Sequence, residues 1–540
     1  MNTNENNEYL WWQTGVIYQI YPRSYQDSNG DGIGDLKGII QRLDYLKWLG
    51  VTGVWLSPIF PSPMADFGYD ISDYENIHPL FGNLDDFDEL LNEVHARGMK
   101  LLLDLVPNHT SDQHPWFLES RSSRDNPKRD WYIWRDPSPE GGYPNNWLSV
   151  FGGSAWEWDE HTHQHYYHGF LKEQPDLNWR NPEVQEAMLG MMRFWLDKGV
   201  DGFRVDVMWH MIKDEQFRDN PLNPHHDPHS ATYGQLIPVY STDQPEVHDI
   251  VVKMREVMDE YSERVLIGEI YLPVQQLVMY YGIDNKGAHL PFNFQLISLP
   301  WNASEIAAAI DQYEAALPQQ GWPNWVLSNH DQPRIASRVG IQQARVAAMM
   351  LLTLRGTPTI YYGDEIGMRD VAIPFDEIQD PQGLNMPDKN LSRDPSRTPM
   401  QWDISANAGF TAAKPWLRTD RAFKRINVEV EKDDEYSMLT FYRKLIAFRQ
   451  QEPSLMYGTY TPVYSDHQMI AYLRQAEGYP AFLILLNLTH RPAHFNPLHK
   501  SFTGTIVLAT FPEFEGTEVS DRIALGGDEA LVVRLMEGEF

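Results

Sequence analysis

A small set of polar residues stands out by where it falls in the chain. Arg204 and Asp206 close the run GFRVDV, Glu269 closes VLIGEI, Asn108 and His109 follow KLLLDLV, and His330 and Asp331 end WVLSNHD. Strand interiors should be apolar, so charges gathered at one end of several short apolar runs imply a shared polar pocket. Any one of them alone reads as well as a helix cap or a barrel-mouth ion pair; the whole set does not. Three carboxylates, an arginine and two histidines, in a chain with no cysteine, suit glycoside hydrolysis. A retaining hydrolase needs two carboxyl groups about 5 Å apart. One must be ionised to attack the anomeric carbon, and an adjacent arginine keeps it so. Arg204 lies two residues before Asp206, so both side chains leave the same strand face. The other must be protonated to assist the leaving oxygen, and crowding by neighbouring acids raises its pKa. Glu269, on an apolar strand, is placed for that role.

The elements that must position these residues follow a parallel β/α rhythm. Candidate strands cover residues 16–22, 53–58, 100–106, 202–207, 265–270, 291–296, 325–331 and 358–364. Between them lie amphipathic stretches such as LKGIIQRLDYLKWLG and LDDFDELLNEVHARG, each ending in glycine as a helix C-cap should. Eight such units predict an α/β fold, a (β/α)₈ TIM barrel. Residues 107–181, rich in Pro, Gly, Asn, Trp and His, are too long for a loop and read as an inserted subdomain after strand three. Residues 218–245 form a Pro/His-rich flap expected over the site. After about residue 456 short alternating runs (MIAYLR, AFLILLN, TIVLA, ALVVRL) predict a C-terminal antiparallel β-sandwich. The expected organisation is therefore barrel over 1–106 and 182–455, insert over 107–181 and sandwich over 456–540.

Composition narrows the partners. A chain of 540 residues fits one large barrel with appended domains, and a net charge of −31 should repel nucleic acid and anionic membrane surfaces. That charge reads as solubility, or as adaptation to salt or a neutral substrate. The absence of cysteine removes any disulfide framework and leaves the compartment unfixed by redox. The opening MNTNENNEYLWW has neither a basic start nor an apolar run, so it is not a signal peptide, and no stretch of about 18 apolar residues exists to span a membrane. A cytoplasmic protein is expected.

The segment DSNGDGIGD offers Asp27, Asn29, Asp31 and Asp35 at alternate positions, with a backbone carbonyl at Ile33. Hard oxygen donors at that spacing, with glycines for a tight turn, read as a structural Ca²⁺ or Mg²⁺ loop; the plain alternative is an acidic turn. His161, His163, His165, His225 and His226 lack cysteine partners and fall in loops, where surface histidines are expected rather than zinc ligands.

Taken in order, DLVPNHT, GFRVDV, LIGEI and SNHD resemble the four signature regions of glycoside hydrolase family 13, the α-amylase family. QPDLN resembles the fifth region as found in the oligo-1,6-glucosidase branch, and WWQTGVIYQIYPRSYQDSNGDGIGD and RTPMQWD strengthen the match. The resemblance implies a retaining exo-acting α-glucosidase acting on small α-linked glucosides, with Asp206 as nucleophile, Glu269 as acid/base and Asp331 as transition-state stabiliser. It implies that His109 and His330 bond the glucose, that Arg204 holds the nucleophile, and that Tyr69 is an aromatic platform. Phe151 and Phe170 become apolar walls, and Asp66 with Arg397 the pair that grips the 4-hydroxyl of the terminal glucose. Val207 directly follows the nucleophile, and in such enzymes a valine there accompanies cleavage of α-1,6 links. The metal loop resembles that of the same branch. Two rivals remain: a same-family glucosyltransferase or isomerase of the trehalose or isomaltulose synthase type, and a non-catalytic glucosidase-like binding protein.

Overall fold

The computed structural model describes residues 9–496 and 502–536. Short apolar runs pair as eight parallel strands: β1 Ile17–Ile20, β2 Gly53–Leu56, β3 Lys100–Leu105, β4 Gly202–Val205, β5 Val265–Gly268, β6 Leu290–Pro291, β7 Asn324–Val326 and β8 Thr357–Tyr361. Their order around the sheet is β7-β8-β1-β2-β3-β4-β5-β6, which is a (β/α)₈ barrel opened at one seam. A side chain bridges that seam. Asn324 Nδ2 donates to the Pro291 carbonyl at 2.5 Å, and its Oδ1 accepts from Asn293 N at 3.0 Å.

Period-two alternation decides what fills the barrel. Ile17, Trp55, Leu102, Val265, Ile267, Leu290 and Val326 pack with Trp12 and Trp322 into one apolar cluster. One step further along β1, β3 and β4, the buried side chains are Gln19, Asp104 and Arg204. The same step from Arg204 reaches Asp206, and from Ile267 it reaches Glu269, both just past their strand ends. The apolar layer therefore carries a polar layer above it.

The strands stop earlier than the sequence implied, and the sixth candidate is mostly not a strand. Only Leu290–Pro291 pairs, and Gln295–Ser298 turns into helix. Phe292 and Phe294 join the barrel's apolar cluster instead of extending the ladder. Outside, helix Leu36–Leu49 starts at Asp35, whose side chain accepts from Gly38 N, and stops at Gly50 in the left-handed region (φ 98°). Leu36, Ile39, Leu43 and Leu46 form its buried stripe. Helix Leu84–Ala96 is capped by Arg97 rather than by Gly98.

Between β3 and β4 lie helix Pro115–Ser122 and a three-stranded antiparallel sheet of Trp134–Arg135, Trp156–Asp159 and Gln164–Tyr167. Residues 218–245 hold only a Leu222–Leu236 bridge and a 3₁₀ turn, Thr232–Gln235. Beyond Met456 a six-stranded antiparallel sheet and a two-stranded sheet enclose a second core around Phe495, Leu485 and Val533. No helix among the described residues is long and apolar enough to cross a membrane.

Candidate active site

A cavity of about 340 Å³ opens among the loops that follow the barrel strands. Arg204, fully buried, is the hub beneath it. Its Nη1 donates to Asp104 Oδ1 at 2.9 Å and to Asp206 Oδ1 at 2.7 Å, while Nη2 lies 2.7 Å from Glu269 Oε2 as an ion pair rather than an aligned hydrogen bond. One cation thus faces three carboxyl groups. Burial, followed by the charge of Glu269, pushes Asp206 well above the usual carboxylate range despite Arg204, so the adjacent arginine does not by itself hold it ionised as the sequence led one to expect. Burial raises Asp104 to about 7 against the pull of Arg204, and raises Glu269 in the same way. These titrations are coupled and belong to the group rather than to any one carboxyl. Glu269 Oε2 also accepts from Val207 N at 2.8 Å, so its other oxygen is the one available to carry a proton. Val207 delivers that N–H from the left-handed region (φ 36°, ψ 47°), a conformation rare for a β-branched residue and a mark of local strain.

Asp331 sits in the opposite field. Burial works against its charge, yet His330, Arg393 and Arg397 together hold it well below the usual range. Arg393 Nη1 lies 3.2 Å and Arg397 Nη2 2.9 Å from Asp331 Oδ1. Tyr69 stacks on His330 with ring centres 5.3 Å apart, and its hydroxyl donates to Asp104 Oδ2 at 3.0 Å. His109 contacts the Tyr69 carbonyl and Gln174 Nε2, each at 3.2 Å, and burial pushes it down to about 4, so it is neutral. Phe151 and Phe170 meet edge to face at 5.7 Å, and the Arg393 guanidinium lies 4.8 Å over the Phe151 ring. Arg393 Nη2 is 2.6 Å from Asp66 Oδ1 and 2.6 Å from Asp380 Oδ1. This salt-bridged group walls one end of the cavity with charge. The geometry offers a fixed cation-and-carboxylate floor, aromatic walls and a hydroxyl-binding end.

The catalytic-domain model of the α-amylase family matches residues 19–458. The chain belongs to glycoside hydrolase family 13, the α-amylase family. It is 41% identical over 567 aligned residues to an oligo-1,6-glucosidase of Parageobacillus thermoglucosidasius, covering 98% of this chain and 99% of that one. Among solved structures, an α-glucosyl transfer enzyme, XgtA, superposes with a TM-score of 0.92 at 39% identity, over 98% of this chain and 100% of its own. The trehalulose synthase of Pseudomonas mesoacidophila superposes with a TM-score of 0.89 at 36% identity, over 97% of this chain and 99% of its own.

Within this α-amylase family member, Asp66, Tyr69, His109, Phe151, Phe170, Asp206, Val207, Glu269, His330 and Asp331 all line the one cavity. Arg204 lies beneath it. Arg397 corrects an expectation: it is fully buried, donates through Nε to the His330 carbonyl at 2.7 Å and braces Asp331, and does not pair with Asp66. The arginine at Asp66 is Arg393, four residues earlier in SRDPSRTPMQWD. The segment turns through a 3₁₀ stretch, Asp394–Ser396, so no regular period tells the two arginines apart. Sequence reasoning also missed Gln174, Trp209, His210 and Tyr271, and the flap residues Tyr233, Pro238 and Thr242, which line the cavity. Trp209, His210 and Tyr271 follow β4 and β5 within four residues of Asp206 or Glu269, and that adjacency was the available signal.

The acidic loop folds on itself. Asp27 Oδ1 accepts from Asn29 N and Gly30 N, Asn29 Oδ1 from Asp31 N, Asp31 Oδ1 from Ile33 N, and Asp35 Oδ1 from Gly38 N. Burial works against the charge of Asp27, but hydrogen bonds from the Thr411 hydroxyl and from Gly32, Gly30 and Asn29 N lower it overall. Among the described residues no Lys or Arg lies in ion-pair contact with Asp27, Asp31 or Asp35, and no three His, Cys, Asp or Glu side chains converge as a metal cage. His161 and His163 are exposed, as expected of loop histidines; His165 is not, being buried edge-on against Trp158.

Proposed function

We propose that this chain is a retaining exo-acting α-glucosidase that releases glucose from the non-reducing end of short α-glucosides. The observation that carries the reading is the Asp66–Arg393 pair at 2.6 Å, which blocks the cavity on the side away from a leaving group. A chain interior of starch could not thread past it, whereas a terminal glucose can end there.

In this reading Asp206 attacks the anomeric carbon as the glycosidic C–O bond breaks, and Glu269 passes its proton to the departing oxygen. Glu269, now a carboxylate, takes a proton from water, the water oxygen bonds to the anomeric carbon, and Asp206 departs with its electron pair. A single guanidinium holding both carboxyls supports the close spacing, about 5 Å, of a retaining pair over the wider spacing of an inverting one. Asp331, kept ionised by its arginines, accepts from ring hydroxyls and favours positive charge at the sugar. Two inversions retain configuration, so proton NMR of early hydrolysis should show α-glucose first. Early β-glucose would overturn the retaining assignment.

Transglucosylation is a second reading, favoured by the structural likeness to glucosyl-transfer and trehalulose-forming enzymes. It differs only in whether water or a sugar hydroxyl takes the glucosyl group, and product analysis at high maltose or sucrose separates the two. The full catalytic set argues against a non-catalytic binding protein.

The loop from Asp27 to Asp35 is read as a structural Ca²⁺ or Mg²⁺ site. What supports the reading is the residue types alone, three carboxylates, an amide oxygen at Asn29 and the Ile33 carbonyl; among the described residues their side chains bond within the loop and do not converge as a cage. A bound ion would neutralise the turn that starts helix Leu36–Leu49. A cytoplasmic place is part of this reading, and fractionation of the producing cell tests it.

A further inference from the structure

Gln19 is a buried polar side chain at the centre of β1, outside the cavity lining and outside every role described so far. Its Nε2 lies 2.8 Å from His330 Nδ1 and 3.2 Å from Ser57 Oγ, while its Oε1 has no partner. On the other edge of the same ring, His330 Nε2 lies 2.6 Å from the Tyr69 hydroxyl and 3.2 Å from Asp331 Oδ2. The Tyr69 hydroxyl in turn lies 3.0 Å from Asp104 Oδ2.

We propose that Gln19 is a positioning residue that fixes the proton of His330 on Nε2 and, through that ring, aligns Tyr69 and Asp104 beneath the nucleophile. The proposal rests on the α-glucosidase reading only for its kinetic consequence.

Proton counting supports it. Tyr69 has one hydroxyl proton. Given to Asp104 as a carboxylate, it leaves the Tyr69 oxygen to accept from His330, so Nε2 carries hydrogen. Asp331 Oδ2 at the same nitrogen makes the same demand. In a neutral ring Nδ1 is then a bare lone pair, and the group facing it must be a donor, which is the Gln19 amide nitrogen. Turning the amide over would give its orphaned oxygen a partner only if Nδ1 carried the proton. A neutral ring would then lose the Nε2–H that Asp331 and Tyr69 both use. A doubly protonated ring would be opposed by burial and by Arg397, Arg204 and Arg393, with Asp331 alone favouring it. The remaining ring neighbours, Tyr21 stacked at 5.8 Å and Trp55 edge-on at 6.2 Å, offer no charge at neutral pH. The orphan oxygen is thus the consequence of holding a donor at Nδ1.

Histidine-labelled whole protein, with His330 identified by difference against His330→Gln, should show Nε2 protonated and Nδ1 bare across about pH 5 to 8. This measurement involves no substrate, so it stands whatever the enzyme cleaves. A wild-type ring protonated on Nδ1 overturns the proposal. Gln19→Leu, similar in volume but without a donor, should melt near the wild type and lose on the order of tenfold in kcat/KM. Gln19→Glu faces Nδ1 with an acceptor and stabilises the charged ring. The ring is charged below its pKa, so activity in this variant should fall as pH drops through a value near neutrality, placing its acid limb at higher pH than that of Gln19→Leu. Superimposable pH profiles for the two variants would reduce Gln19 to packing and overturn the proposal, and if Gln19→Leu does not fold, the wild-type spectrum decides alone.

Discussion

Replacing Arg393 by alanine removes the cation at the closed end of the pocket and leaves Asp206 and Glu269 untouched, while Asp331 drops from two guanidiniums to one. After the change Asp331 keeps Arg397 at 2.9 Å, and Asp380 keeps Arg397 only at 4.0 Å. Asp66 keeps only Gln174 Nε2 at 3.3 Å, so it loses its sole close cation. Stripping a buried carboxylate of its partner costs about 3–5 kcal/mol if the charge persists. Asp66 is already raised by burial, so it takes up a proton instead and escapes about 1.4 kcal/mol of that for each pH unit of the shift. That is a cost to folding; the loss in kcat/KM comes separately from the broken grip on a substrate hydroxyl, on the order of 2–4 kcal/mol or roughly 30- to 1,000-fold. Asp66 must be ionised to accept a sugar hydroxyl, so the acid limb of the variant's profile should move to higher pH. Stability has the opposite dependence. A carboxyl whose folded pKa lies above its unfolded value holds a proton the unfolded chain has released, so melting should fall as pH rises from about 4 through the folded value. The decisive assay compares p-nitrophenyl α-glucoside with its 4-deoxy analogue on both proteins. If the pair grips the 4-hydroxyl, deleting hydroxyl and arginine together should cost little more than deleting either alone. Fully additive losses would show that Arg393 and that hydroxyl do not meet, and the exo-acting argument would lose its footing.

Glu269→Gln should reduce maltose hydrolysis by about 10²–10⁴-fold while sparing the first step on an aryl glucoside, whose leaving group needs little acid help. Since Glu269 acts protonated, the basic limb of the wild-type profile should vanish with it; equal losses on both substrates would remove Glu269 from the acid role. Asp31→Ala should abolish any Ca²⁺-dependent rise in melting temperature, which follows the binding linkage of a folded-state site, and keep kcat at low temperature; melting indifferent to both chelator and mutation would refute the metal loop. Val207→Thr keeps β-branching, and so the backbone at φ 36°, while changing only what faces the leaving sugar. It should move the isomaltose-to-maltose ratio of kcat/KM toward maltose by about 10- to 200-fold at most, and an unchanged ratio would assign linkage preference to the flap.

What the sequence displayed and what it hid follow from regularity. Asp206 and Glu269 were legible because each continues a strand's inward face by one step of two, and strand periodicity survives a residue or two past the last ladder bond. Arg393 was not, because it sits in an irregular segment where two arginines four apart have no fixed faces. The sixth strand misread PFNFQL because period-two aromatics fit a strand and a barrel plug equally well, and Phe292 and Phe294 serve as the plug. Tyr233, Pro238 and Thr242 reach the cavity from a flap with no repeating pattern, so the sequence marked the flap and not the residues. Gln19 did carry a signal: a polar residue amid the apolar run VIYQIY must find a buried partner, and only the fold names it.

The division of labour among the carboxyls comes from how cations are distributed beneath them. On one side of the cavity a single guanidinium serves Asp104, Asp206 and Glu269, and with burial that deficit of positive charge raises all three. On the other side two guanidiniums converge on Asp331, and that surplus keeps it ionised. The same residue type is therefore held in two opposite fields within one cavity, and such a separation of pKa values is what acid/base chemistry needs at neutral pH. The net charge of −31 does not produce this; most of it lies on screened surface, whereas the pocket is governed by four buried side chains on strand ends and two arginines on one irregular loop. Adding a cation on the Glu269 side would lower that group, and taking one from the Asp331 side would raise Asp331. The asymmetry, more than any single residue, is what the barrel's polar layer is built to hold.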